Sequence, residues 1–178
     1  MTMHIIDDTS LGLVAGTTDT SQFRKRQTVR GVVFDLQGRV ALLYAAQDGY
    51  HKLPGGGLKE GEDWRVAFER ECLEEIGCKV IVRSTDLITV EERRQAESLI
   101  QISHCCIADV VEAGLSQQLD GHEVTFGLTP PKWLPIEEAI DLVMADRPQA
   151  YPCKFIQARD LLILKEAQCA LQMSLPSH

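Results

Sequence analysis

Hydrophobic and polar positions run in short β-type blocks through the first part of the chain and settle into helical periodicity towards its end. From Thr28, the runs TVRGVVFD and RVALLYAA are rich in β-branched and aliphatic residues. The turn Leu36-Gln37-Gly38 between them predicts a hairpin. A short strand over 50–53 leads into three glycines, and a helix is predicted over about 62–76. Residues 79–90 and 98–111 are again β-rich. The polar stretch EERRQAE between them predicts a solvent-facing loop or hairpin end. Residues 112–131, with glycines, charges and Pro130-Pro131, predict a long loop; Trp133 and Leu134 predict a short strand. Pro135 opens a helix whose Ile136, Ala139, Ile140 and Val143 recur at i, i+3, i+4 and i+7. A last helix is expected over about 153–171. Residues 1–25 form an arm or edge strand running into the basic triplet at 24–26, which predicts a solvated turn or a contact with a substrate phosphate. Residues 26–178 form one domain. Strands interrupted by helices indicate a single α/β or α+β fold.

The chain's 178 residues suffice for one sizeable core. Its net charge of −8 argues against broad electrostatic binding to nucleic acid or to anionic lipid. An anionic small molecule stays open, because a bound divalent cation inverts the local field. No apolar run approaches the ~18 residues of a membrane span. The start, MTMHIIDDTSLG, lacks the basic and apolar regions of a secretory signal, so a cytoplasmic protein with reduced thiols is expected. The six cysteines form no CxxC pair, which leaves a zinc site without its usual spacing. Cys105 and Cys106 are adjacent, so on a strand they point to opposite faces.

The chemistry concentrates in GGGLKEGEDWRVAFERECLEEIGCKV, residues 55–80. On a helix, Val66, Cys72, Leu73 and Ile76 fall within about 120° and predict the core-facing stripe. Glu71, Glu74 and Glu75 fall within about 100° on roughly the opposite side, where like charges cost a few tenths of a kcal/mol per pair. Such a cluster is either a solvated acidic face or a seat for a hard cation such as magnesium, which prefers carboxylate, carbonyl and water oxygen. The spacing separates the two. Gly56 is followed after five residues by Glu62, after seven more by Arg70-Glu71, then by Glu74-Glu75 and, one residue on, by Gly77. This pattern resembles the signature of the Nudix hydrolases, with Cys72 and Cys78 at two positions where aliphatic residues are more usual.

The resemblance implies a Nudix-type α/β/α sandwich with a mixed β-sheet, and a loop–helix–loop that binds Mg2+ or Mn2+ against a pyrophosphate. It implies Glu71, Glu74, Glu75 and the Gly55 carbonyl as metal ligands. Gly56 belongs to the same turn, and Glu62 with Arg70 forms an orienting ion pair that also steers Glu71. Gly77 suits a left-handed helix C-cap. The general base is a box glutamate or a later one; Glu123 is preferred over Glu112, and the neighbouring His122 is either an assistant or a bystander. The substrate class is a nucleoside diphosphate linked to another group, as in a nucleotide sugar or a nucleoside triphosphate. About fifteen residues past the box stand Glu91-Glu92-Arg93-Arg94-Gln95, without the proline or tyrosine that related enzymes use to mark ADP-ribose or diadenosine polyphosphates. Arg93 and Arg94 are candidates for a phosphate grip or for a solvated hairpin end. Tyr50 and Phe126 are candidates for stacking a base, and Tyr44 for the core. An isoprenoid-diphosphate isomerase and a ligand-sensing module without turnover are the alternative functions, and a homodimer remains open.

Overall fold

The computed structural model describes residues 2–14 and 19–173, except the side chains of 84–86 and of 122. Strands β1 (Met3–Asp7), β2 (Arg24–Phe34), β3 (Val40–Ala45) and β4 (Tyr50–Lys52) precede helix α1 (Trp64–Ile76). Strands β5 (Lys79–Arg94) and β6 (Leu99–Glu112) follow, joined by the short turn Gln95–Glu97. Then come the short helix α2 (Gly121–Thr125), strand β7 (Lys132–Leu134) and helices α3 (Ile136–Ala145) and α4 (Tyr151–Met173). Among the described residues the sheet has the order β1-β5-β6-β2-β3-β4, with β7 also paired to β3. It is mixed: β1 with β5 and β2 with β6 run parallel, while β5 with β6 and β2 with β3 run antiparallel.

Each strand presents alternate side chains to two cores, one on each face of the sheet. On one face Val32, Phe34, Ile88, Val90, Cys105 and Ile107 pack against α3 and α4. On the other Val29, Val33, Leu43, Cys106 and Ala108 pack against α1. Cys105 and Cys106 therefore separate as the alternation requires. The stripe Ile136, Ala139, Ile140 and Val143 of α3 is buried, and the fold is an α/β/α sandwich.

Three segments depart from the pattern expected of them. First, the buried face of α1 is Ala67, Phe68, Glu71, Cys72, Glu75 and Ile76. Val66 is 56% exposed and Leu73 half-buried. The helix is turned so that Phe68 enters the core over Gly31, where even a methyl group would lie 2.5 Å from its ring. Burying that ring outweighs burying Val66, and the same rotation carries Glu71 and Glu75 inward. Second, β5 runs on through the charged stretch to Arg94, so the reversal spans only 95–98. Glu92 and Arg94 are buried on the α4 face because they pair with each other at 2.9 Å. Third, β2 starts at Arg24, so the basic triplet is strand paired to Leu99, Ile100 and Gln101 of β6 rather than a solvated turn.

Phe68 is the largest apolar side chain that α1 buries, and it is fully enclosed. Phe68→Ala should lower the unfolding free energy by about 3–5 kcal/mol. Chemical denaturation would read this as a lower midpoint at an unchanged slope.

Candidate active site

The glycine turn that leaves β4 is fastened to β2. Val29 donates to the Gly56 carbonyl at 2.9 Å, Gly31 to the Pro54 carbonyl at 3.3 Å, and Leu58 to the Gln27 carbonyl at 3.2 Å. Gly55 has φ 129, and a Cβ there would meet the Val29 carbonyl at 2.2 Å, so no other residue fits. A Cβ on Gly56 would fall 2.3 Å from the Glu71 carboxylate. On the far side of the sheet, the Leu53 N–H donates to Asp160 of α4 at 2.8 Å.

Helix α1 begins at Asp63, whose carboxylate accepts from Arg65 N–H at 2.9 Å. It ends at Gly77 in the left-handed conformation (φ 61, ψ 35), as its position suggested. The segment 115–118 then straps across this end. Leu115 donates to the Gly77 carbonyl at 3.0 Å, Gln118 to the Glu74 carbonyl at 2.8 Å, and the Gln117 amide to the Glu75 carbonyl. These bonds satisfy carbonyls that a helix end leaves open, and they aim the chain at α2. There Asp120 and Glu123 form a reciprocal capping box: each backbone N–H donates to the other's carboxylate at 2.8 Å.

Glu71, Glu75 and Glu123 consequently converge, with one oxygen of each within 4.8 Å of the others. Glu75 is 1% exposed and accepts from Lys52 Nζ at 2.6 Å and from Gly55 N–H at 2.7 Å. Glu71 is held by Arg70 at 2.7 Å. Burial, reinforced by the charge of Glu75, raises the Glu71 pKa against the pull of Arg70. Burial also raises Glu123, to about 7. The Asp120 N–H opposes that shift, and the charges of Glu75 and Asp120 reinforce it. Three carboxylates held this close, offering hard oxygen donors only, fit a divalent cation.

The ion pair between Glu62 and Arg70 forms as the spacing implied, at 2.9 Å, and Arg70 reaches Glu71, Glu74 and the Gly57 carbonyl as well. Glu74 is one-third exposed and rests on Arg70 at 3.0 Å, outside the converging trio. Glu112 is half exposed, pairs with Lys79 at 2.6 Å and does not line the cleft. Arg93 pairs with Glu91 at 2.6 Å on the side of β5 away from the cleft lining. Tyr44 is only half-buried, against the ring of His51 at 4.8 Å. The side chain of His122 lies outside the described residues.

A cleft of about 450 Å³ opens above the trio. Tyr50, Phe126 and Arg94 line it, together with Lys52, Arg30 and Arg159, which the sequence had not singled out. Lys52 and the capping pair Asp120/Glu123 did carry signals: a cation three residues before the first glycine, and the D-x-x-E spacing of a helix start. Arg159 stood as a charged pair with Asp160 inside an apolar helix.

A NUDIX domain family model matches residues 24–153, and the chain belongs to that family, the Nudix hydrolases. Solved structures agree in fold. A NUDIX hydrolase from Nitrosomonas europaea superposes with a TM-score of 0.64 at 17% identity, covering 87% of this chain and 98% of that one. The Ap4A hydrolase of C. elegans gives 0.57 at 20% identity, over 83% and 99%. The NUDIX domain of Shewanella oneidensis NrtR, complexed with ADP ribose, gives 0.56 at 20% identity, over 86% and 93%. No curated protein matches the chain.

Glu62 is a carboxylate whose folded pKa is depressed: the Arg70 hydrogen bonds hold it at about 2, against an ordinary 4.5. Its stabilising contribution is therefore complete above about 4.5 and is lost as the pH falls towards 2. Glu62→Gln should flatten the decline of melting temperature across that window and leave the slope near neutrality unchanged. Parallel melting curves from pH 2 to pH 7 would show it.

Proposed function

We propose that the chain hydrolyses the pyrophosphate linkage of a nucleoside diphosphate joined to a further group, either a nucleotide sugar or a nucleoside triphosphate, with Mg2+ or Mn2+ as its cation. The observation that carries this reading is the convergence of Glu71, Glu75 and Glu123 within 4.8 Å beside the glycine turn. Family membership supports it, as do relatives whose own names record an Ap4A hydrolase and an ADP ribose complex. A cytoplasmic setting belongs to the same reading. All six cysteines are free thiols, five of them buried, and no described helix is long and apolar enough to cross a membrane.

Glu71, Glu75 and the Gly55 carbonyl would hold the cation. Bound there, it would neutralise pyrophosphate charge and acidify water. Arg70 orients Glu71 from one side and keeps Glu74 at the rim. Glu123 faces the pair from a separate element. It takes the proton of the attacking water as the water oxygen bonds to phosphorus and the bridging P–O bond breaks. A carboxylate raised by burial is the better base, because its proton affinity lies nearer to neutrality.

Two outcomes test the reading. Glu123→Gln should lower kcat roughly 10²-fold with little change in KM, since a base acts mainly in the transition state. A substrate panel with magnesium, scored for orthophosphate, pyrophosphate and nucleoside monophosphate, would measure it; near wild-type kcat removes Glu123 from the chemistry. Cation binding has its own signature. The folded pKa of Glu123 lies above its ordinary value, so the metal-free protein loses stability as the pH rises from about 4.5 to about 7. Magnesium should therefore raise the melting temperature more at about pH 8 than at about pH 5. Equal shifts at both, or activity that survives EDTA, would overturn the assignment.

A further inference from the structure

Behind the glycine turn, the α4 side of the sheet changes character along its strands. Val32, Ile88, Val90 and Cys105 give way to Arg26, Thr28, Arg30, Glu92, Arg94, Gln101 and Ser103. Over this patch lies the Arg159-Asp160 pair of α4, both side chains at most 1% exposed. Four of these guanidiniums, on Arg26, Arg30, Arg94 and Arg159, line the cleft. Glu92 accepts from Arg94 at 2.9 Å and from Arg159 at 3.4 Å; Asp160 accepts from Arg159 at 2.8 Å; Glu97, one-third exposed, accepts from Arg94 at 3.2 Å. Arg94 and Arg159 thus share three carboxylates, whereas Arg26 and Arg30 have no ion-pair partner within 4 Å among the described residues; the charge of Glu71 reaches Arg26, and those of Glu75, Asp160 and Glu71 reach Arg30. Arg30 Nε, Arg94 Nε and Arg159 Nη2 are buried with no hydrogen-bond partner. A buried guanidinium left short of acceptors is costly, and the charge of an anion in the adjoining cleft would offset that cost.

The geometry places this patch one backbone away from the carboxylate trio. Gly55 donates its N–H to Glu75 at 2.7 Å, while a Cβ on the same residue would lie 3.0 Å from the Arg30 guanidinium. Gly57 stands likewise at 3.0 Å from that of Arg26. Of the carboxylates whose charge reaches Arg30, Glu71 and Glu75 are those assigned to the cation and Asp160 is already bonded to Arg159. Against four guanidiniums the described lining offers two aromatic side chains, Tyr50 and Phe126.

We infer that Arg30, Arg94 and Arg159 form a second anion subsite that grips a phosphate group of the substrate beyond the linkage being cut. Resting on the hydrolase reading above, this selects a nucleoside triphosphate or another polyphosphate over a nucleotide sugar. Guanidinium N–H groups match phosphate oxygens in geometry and in charge.

The test uses the full chain in EDTA, so that neither cation nor turnover takes part. Titration calorimetry with inorganic tripolyphosphate should show binding that is tighter than for pyrophosphate. Arg30 is the residue to change, because its one hydrogen bond, to the Val29 carbonyl at 2.8 Å, leaves no ion pair broken. Arg30→Met should weaken tripolyphosphate binding about tenfold or more, as expected for losing a hydrogen bond to a charged group. Arg30→Lys should recover part of that loss, and it stands in if Arg30→Met does not fold. With magnesium, the ratio of kcat/KM for a nucleoside triphosphate to that for a nucleotide sugar should fall by a similar factor in Arg30→Met. No tripolyphosphate binding by the wild type, or equal binding by all three proteins, would overturn the subsite and leave the hydrolase reading untouched. Binding without any turnover on the panel would overturn the hydrolase reading and leave the anion subsite standing.

Discussion

A carboxylate that is almost fully enclosed dictates most of what surrounds it. Glu75, 1% exposed, cannot keep its charge in the interior without partners. It has two, the Lys52 ammonium at the end of β4 and the Gly55 N–H in the turn that follows. Those bonds fix the helix against the strand and the turn against the helix together. They also explain why the turn is glycine: the backbone must pass between Glu75 and the Val29 carbonyl with no room for a side chain. Once α1 is seated this way Glu71 has to face inward too, and Arg70 becomes the cation that makes its burial tolerable.

A second polar centre, on the opposite face, answers the first. Asp160 accepts from the Leu53 N–H, so α4 reaches through the sheet edge to hold the residue just ahead of the turn. Arg159 ties the same stretch of α4 to Glu92 in β5. Breaking such a network at one member leaves a buried charge alone, which costs far more than the network contributes as a whole. The glycine turn is thus gripped from both faces of the sheet, by a carboxylate of α1 and by a carboxylate of α4.

Much of this was legible in the sequence, and the exceptions share a cause. The hairpin around Gly38, the helix after Pro135 and the Gly77 cap are local features. Periodicity and turn chemistry decide them, and the structure keeps them. The spacing from Gly56 to Gly77 identified the family because the fold needs those side chains at those helical phases. What local reasoning missed was burial of charge. Helical phase sets Glu71 and Glu75 opposite the stripe of Val66, Cys72, Leu73 and Ile76, and the polar run EERRQAE reads as a loop or hairpin end for Glu92 and Arg94. Their partners Lys52, Gly55 and Arg159 lie 23, 20 and 67 residues away in sequence. No window centred on either member of such a pair reveals the other. The capping pair Asp120/Glu123 was visible as a motif, but the glycines and prolines around it pointed to loop throughout.

The bond from Leu53 to Asp160 spans 107 residues, which sets an order of events in synthesis. The box itself, with its strands and helix, leaves the ribosome well before α4. Until α4 follows, Leu53 lacks its acceptor, and Glu92 has only the charge of Arg94 and a hydrogen bond from Gln101. Contacts of such separation slow folding. Before α4 is made, the turn is held by β2 and by Glu75 of α1, and the α4 face of β5 and β6 is uncovered. The position of the glycine turn is therefore set in part by the last helix, 107 residues further along the chain.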